Sequence, residues 1–201
     1  MIYLCVMVLS TEKINYGMVF YYGDVTRSVD NIISKKVHHR KDRPKEGIPG
    51  IGIAVAGGGG GGFASALRQI YHYYRIIGVQ GLNPIPVTRF NLSSALDEAF
   101  QAGASIASLI KKEEYLTGPR RTAAYLDLPI LWLDYLQERF YLIEQTIEGA
   151  KNGKPKESMA EVLTLLNKAN ALRTNGDKVG AFTALDEAYK LGTAVWNPER
   201  R

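Results

Sequence analysis

Residues 51–62 read IGIAVAGGGGGG, and this stretch constrains the fold more than any other. The apolar run Ile51–Ala56 reads as a strand. It opens into six consecutive glycines, Gly57–Gly62, and a helical pattern, Phe63–Ile77, follows at once. Six glycines forfeit much backbone entropy on ordering, so an ordered loop of this kind needs a physical reason. The usual reason is a flat or anionic ligand that approaches the backbone closely, met by N–H groups and a helix N-terminus. The order strand, glycines, helix predicts a ligand loop at the C-terminal edge of a parallel sheet. A flexible linker is the competing reading, and the strand and helix that abut the glycines directly weigh against it.

Composition limits what such a loop can serve. The 201 residues are 46% hydrophobic and 22% charged, which suits one α/β domain with an appendage and excludes a disordered chain. A single cysteine, Cys5, excludes an intrachain disulfide and a cysteine-ligated iron–sulfur cluster within one chain. A reducing, cytoplasmic setting is the expectation. The start MIYLCVMVLS lacks the basic flank of a secretion signal and is too short to span a bilayer, so it reads as a strand and no membrane partner is expected. A net charge of +5 gives only a mild pull on anions.

Along the chain, Ile2–Leu9 and Tyr16–Phe20 read as strands. Val25–Val37 reads as a helix with Val29, Ile32, Ile33 and Val37 on one stripe, and a basic link, His38–Pro49, follows. After the glycines, Leu67, Ile70, Tyr71, Tyr74 and Ile77 mark the inward face of a helix. Ile76–Gln80 reads as a short strand ending at Gly81, and Leu82–Asn91 as a Pro-bearing loop. Ser93–Lys112 reads as a long helix capped by Ser93 or Ser94, with Leu96, Ala99, Phe100, Ala104, Ala107 and Ile110 inward. Alternating strands and helices indicate parallel βαβ units.

The character changes after Gly118-Pro119. Residues 1–118 form the α/β part and residues 119–201 a helical extension. Arg120–Lys151 is helical in pattern and rich in large apolar residues, and Asn152-Gly153-Lys154-Pro155 ends it. Residues 156–192 read as a helical hairpin turning at Asn175-Gly176-Asp177, with a spacing like one tetratricopeptide unit. A plain helical pair packing on a partner or on the domain is the simpler account, because one such unit cannot bury its own face.

Three segments carry a family resemblance. They are Tyr21-Tyr22-Gly23-Asp24-Val25-Thr26 before a helix, Gly52–Ala56 with Gly57–Gly62, and Tyr73–Gly81 with Leu82-Asn83-Pro84 before an Ala-rich helix. In this order and spacing, residues 21–112 resemble the flavodoxin-like NADPH-dependent FMN reductases, especially their iron–sulfur flavoprotein branch. The resemblance implies a flavodoxin-like three-layer parallel sheet, incomplete at the N-terminus, with FMN at the strand ends. It implies FMN contacts from Tyr21, Tyr22, Gly23 and Asp24 on one side and from Gly57, Gly58, Gly59 and Gly60 on the other. NAD(P)H would be the co-substrate and a small molecule, such as a flavin or quinone, the electron acceptor. No protein acid or base is required, since hydride chemistry belongs to the flavin.

The chain departs from that family pattern in several places. No Ser/Thr-rich phosphate loop follows Ile2–Leu9, and Ser10-Thr11-Glu12-Lys13 is a poor substitute. The Ser-Pro expected before the aromatic pair is replaced by Met18-Val19-Phe20. No polar residue interrupts the glycines, and the four-cysteine cluster motif is missing. The chain reads as a member without its N-terminal βαβ portion, so the resemblance supplies no anchor for the FMN phosphate.

Other candidate sites reduce to structural readings. Lys35, Lys36, Arg40, Lys41, Arg43 and Lys45 suit a solvated helix C-terminus, and without aromatic interleaving they do not make a nucleic-acid patch. His38 and His39 face about 100° apart on a helix and cannot share a metal, so no metal site is expected. Tyr71, Tyr73 and Tyr74 read as core. Leu131, Trp132, Tyr135, Phe140 and Tyr141 are too many large apolar residues for one narrow stripe, which predicts a homo-oligomer. Two functions follow: an FMN-dependent NAD(P)H oxidoreductase, or a non-catalytic degenerate flavodoxin-like scaffold whose C-terminal helices mediate oligomerisation or partner binding.

Overall fold

The computed structural model describes residues 2–5, 20–21, 24–25, 46–56, 61–150 and 156–196. Two compact units divide between Trp132 and Leu133. The described residues are mostly helical, and two parallel strand pairs give the first unit an α/β character. Among them, no helix is long and apolar enough to cross a membrane.

The first unit is built on β4 (Pro49–Gly50), β5 (Ile53–Ala56), β6 (Gln80–Gly81) and β7 (Ile85–Val87), with helix α1 (Phe63–Ile77) as the crossover. β4 pairs β6 and β5 pairs β7, both parallel. β1 (Ile2–Cys5) runs antiparallel on the other side of β5, so β5 is the middle of three strands. That edge departs from a purely parallel sheet. β2 (Phe20–Tyr21) and β3 (Asp24–Val25) form a separate antiparallel pair. The proposed helix Val25–Val37 lies outside the described residues beyond Val25, as do Val6–Leu9 of the first expected strand and Tyr16–Val19 of the second.

The expected strand Ile51–Ala56 is interrupted, for a reason that sits across the ladder. Pairing starts at Pro49↔Gln80 and Gly50↔Gly81 and resumes at Ile53↔Ile85, one residue out of step. Continuing the first register would ask the N–H of residue 84 to reach the Gly52 carbonyl. Residue 84 is proline and has none. The strand bulges, and Ile85 donates to Gly52 O at 2.9 Å instead. The expected loop Leu82–Asn91 therefore contains a strand, while Ile76 and Ile77 belong to α1.

Successive residues of a strand face opposite sides. On one side, Gly50, Gly52 and Gly81 lie under the rings of α1. A Cβ on Gly52 would sit 2.5 Å from Tyr71 Cε2, and one on Gly81 would sit 2.6 Å from Tyr71 Cε1. These glycines exist so that tyrosines can lie on the backbone. α1 buries Phe63, Leu67, Ile70, Tyr71 and Tyr74 along one stripe. On the other side, Ile51, Ile85 and Val87 pack with Ala95 and Ile106 of α2 (Leu92–Lys112).

The inward face expected for α2 needs correction. Ala99 and Ile110 do pack against the core, but Leu96, Phe100, Ala104 and Ala107 are exposed. The apolar arc of α2 is wider than the strip the sheet covers. The helix also begins at Leu92 with Asn91 as cap residue, rather than at Ser93 or Ser94.

The pattern Arg120–Lys151 is not one helix. α3 (Gly118–Ala124) and a 3-10 turn (Pro129–Trp132) stay with the first unit, where Tyr125, Leu128 and Leu131 are buried. Pro129 cannot continue a helix begun before it. In the second unit, α4 (Tyr135–Ala150) starts on a capping box. Gln137 N donates to Asp134 Oδ1 at 2.7 Å, and Asp134 N donates to Gln137 Oε1 at 2.8 Å. α5 (Lys156–Thr174) and α6 (Lys178–Trp196) form the expected hairpin. Gly176 takes φ 81° at its turn, and Asp177 Oδ1 accepts from Gly180 N at 2.8 Å to cap α6. Phe140, Ile143, Val162, Leu166 and Leu185 form this unit's core. Of the five residues expected to be exposed, Leu131 and Phe140 are buried, Tyr141 is half-buried, and only Trp132 and Tyr135 are exposed.

Candidate functional site

The C-terminal edge of β5 and β7 is where the glycine run emerges. Val55 pairs with Val87, so Ala56 and Thr88 leave the sheet side by side. From Ala56 the chain enters the glycines and reaches α1 at Phe63. From Thr88 it turns through Arg89, Phe90 and Asn91 into α2. Two helix N-termini thus follow two adjacent parallel strands, the position at which open α/β sheets bind ligands.

Gly61 and Gly62 are the described members of the glycine run. Gly62 takes φ 92°, a conformation that excludes most side chains, and it is the cap residue of α1. Gly61 is different. A Cβ built on it meets nothing within 4 Å among the described residues. Among the described residues, no packing contact demands a glycine there. Gly57, Gly58, Gly59 and Gly60, the expected ligand contacts, lie outside the described residues.

Neither cap residue, Gly62 nor Asn91, caps its helix with its own side chain, and neither helix carries an acid in its first turn. Asn91 would be the natural cap of α2, but its amide faces backwards. Oδ1 accepts from Thr88 N at 2.7 Å and from the Thr88 hydroxyl at 3.1 Å, while Nδ2 donates to Pro86 O at 2.9 Å. Thr88 Oγ1 in turn accepts from Phe90 N at 3.2 Å. The turn is fixed by its own side chains, with Phe90 buried and the Arg89 guanidinium 4.9 Å from the centre of its ring. This leaves the positive dipole end of α2 at the sheet edge, a feature that favours anions. The sequence reading assigned no role to Thr88, Arg89 or Asn91. The signal available was Thr-x-x-Asn directly after an apolar run and before a helix.

The other expected contacts fall on the β2–β3 pair. Tyr21 and Asp24 are paired across it, and Tyr22 and Gly23 between them lie outside the described residues. The structure describes no contact between this pair and the glycines.

Buried titratable groups cluster elsewhere, under α1. The Tyr71 hydroxyl accepts from Gly52 N at 3.2 Å and donates to Leu82 O, and Tyr74 donates to Ile51 O at 2.8 Å. Tyr125 donates to Val79 O. Burial raises the Tyr71 phenol well above its ordinary value, against the smaller pull of the Gly52 hydrogen bond. Burial also raises Tyr74, and it pushes Tyr125 up to about 12 despite the nearby Arg121. All three stay protonated as donors to backbone carbonyls, which is a structural role and not that of a base. Among the described residues, no three His, Cys, Asp or Glu side chains converge as metal ligands.

No family model, curated protein or solved structure matches the chain.

Proposed function

We propose that the chain is an FMN-dependent NAD(P)H oxidoreductase on a flavodoxin-like sheet, with the flavin at the C-terminal edge of β5 and β7. The observation that supports this most is Gly61, a glycine one residue before the cap of α1, whose missing side chain would meet nothing within 4 Å among the described residues. A glycine that the protein's own packing does not need is explained by a ligand that lies against the backbone.

In this reading Gly57–Gly62 let the ring and ribityl chain approach the main chain, while Tyr21, Tyr22, Gly23 and Asp24 supply the facing contacts implied by the resemblance. The N-terminus of α2, with no acid in its first turn, serves the phosphate in place of the Ser/Thr-rich loop. Asn91 holds Thr88 and Pro86 so that this turn keeps its shape. Bound FMN would supply hydride acceptance from NAD(P)H and electron delivery to a small-molecule acceptor. The visible spectrum of the purified protein tests the reading. A flavin spectrum, as purified or after refolding with FMN, supports it. A colourless protein after FMN-supplemented refolding would replace it with the non-catalytic scaffold.

A further inference from the structure

Helix α2 carries an apolar face that the sheet does not use. At 3.6 residues per turn, Leu92, Leu96, Phe100, Gly103, Ala104 and Ala107 fall within about 120° of arc, beside the buried strip of Ala95 and Ile106. Leu92, Leu96 and Phe100 are 55%, 63% and 82% exposed. Gly103 stands midway along the helix, half-buried on the side of this face nearest the buried strip, where glycine lowers stability relative to alanine. A Cβ there would meet nothing within 4 Å among the described residues, and its φ is not positive, so the described residues give no reason for it.

We infer that this face binds the same face of a second copy, as an antiparallel helix pair about a two-fold axis. The face is self-complementary. Its first half is bulky (Leu92, Leu96, Phe100) and its second half is small (Gly103, Ala104, Ala107). With the axis between Gln101 and Ala102, Phe100 of each copy lies over Gly103 of the other, and Leu96 lies over Ala107. The missing Cβ of Gly103 becomes the hollow that receives the ring. Charge follows the same reversal along one flank of the face: Asp97 stands in the first half of α2, and Lys111 stands in its last turn. Antiparallel pairing lays the acidic half of one helix along the basic half of the other, whereas parallel pairing would set like against like. Glu113 and Glu114 lie past the last helical residue, where Glu113 takes a left-handed conformation and ends the helix. A two-fold contact of this type uses one patch on both copies.

Sedimentation equilibrium and circular dichroism on the full chain test the inference. The wild type is expected to sediment at twice 22.3 kDa in the micromolar range. Phe100→Asp is expected to give the monomer mass with unchanged helical content. Gly103→Leu is expected to weaken association at least about tenfold, because the hollow is filled. The second variant separates this interface from a monomer in which another segment of the chain covers α2 or solvent does. On a solvent-exposed helix, replacing glycine by leucine raises the thermal midpoint and leaves the mass unchanged. That result would overturn the inference, as would a wild type that stays monomeric, or a dimer that both variants leave intact.

Discussion

The hydroxyl of Tyr71 stands between the N–H of Gly52, 3.2 Å away, and the carbonyl of Leu82, and it bridges the two strands where Pro84 breaks their ladder. One side chain thus joins a donor and an acceptor that the first parallel register would pair directly and that the bulge leaves to Tyr71. Tyr71→Phe keeps the ring and removes the bridge. It is expected to destabilise the first unit by about 2 kcal/mol, the cost of leaving buried backbone groups unsatisfied. Gly52→Ala is expected to cost about 1–3 kcal/mol for the opposite reason, since its Cβ would be driven against the Tyr71 ring. Urea denaturation of the two variants, followed by circular dichroism, measures both.

The same tyrosines make stability fall at high pH. Their phenols are raised in the folded state above the ordinary value of about 10. Below that value the folded and unfolded chains hold the same protons, and the full stability is present. Above it the unfolded chain loses protons that the folded chain keeps, so stability is lost as pH rises. Tyr71 and Tyr74 are each expected to contribute a slope of about 1.4 kcal/mol per pH unit beyond pH ~10. Tyr125 joins them until its folded value near 12 is passed. Denaturation midpoints from pH 8 to 11.5 should fall more steeply in the wild type than in Tyr71→Phe. Equal slopes would show that Tyr71 does not stay protonated by burial.

Asn91 holds the turn after β7 through three side-chain hydrogen bonds, two to Thr88 and one to Pro86. Asn91→Ala is expected to cost about 1–3 kcal/mol in stability. Asn91→Asp keeps the acceptor and loses the donor to Pro86, so its loss should be smaller. It also adds a negative charge at the anion-attracting edge, and so should weaken FMN binding more than Asn91→Ala does. Paired denaturation and FMN titrations of the two variants check the inversion of order.

Asp134 should be separable from all of this. As the cap of α4, its replacement by alanine is expected to destabilise the second unit by about 1 kcal/mol, with no effect on flavin binding. A calorimetric scan that resolves the second unit would show the loss there.

What the sequence revealed depended on the kind of signal. α1 was legible because its apolar residues repeat at helical spacing between two glycines, Gly62 and Gly78, which end it on either side. The hairpin at Asn175-Gly176-Asp177 was legible because glycine and Asp each do one local job there. The strand Ile85–Val87 was hidden because Pro84 and Pro86 look like loop, although only the first disturbs the ladder. Leu96 and Phe100 were placed inward because periodicity finds an apolar arc and not which half of it the sheet covers. Gly52 was read as part of the strand that feeds the glycine loop and Gly81 as a strand end, yet Gly50, Gly52 and Gly81 answer to internal packing under Tyr71 and Tyr74. Distinguishing these from Gly61 required knowing what stands over each one, which no local pattern encodes.

The most direct measurement is an equilibrium FMN titration of the wild type and Gly61→Val, followed by quenching of flavin fluorescence. The substitution suits the purpose because a Cβ at this position meets no heavy atom within 4 Å among the described residues, so the variant is expected to fold, which circular dichroism checks first. If Gly61 is bare to admit FMN, the wild type binds and the variant binds at least about tenfold more weakly, a loss of roughly 1.4 kcal/mol. A wild type that does not quench FMN, or a folded Gly61→Val that binds it equally well, would contradict the assignment of this edge as a flavin site.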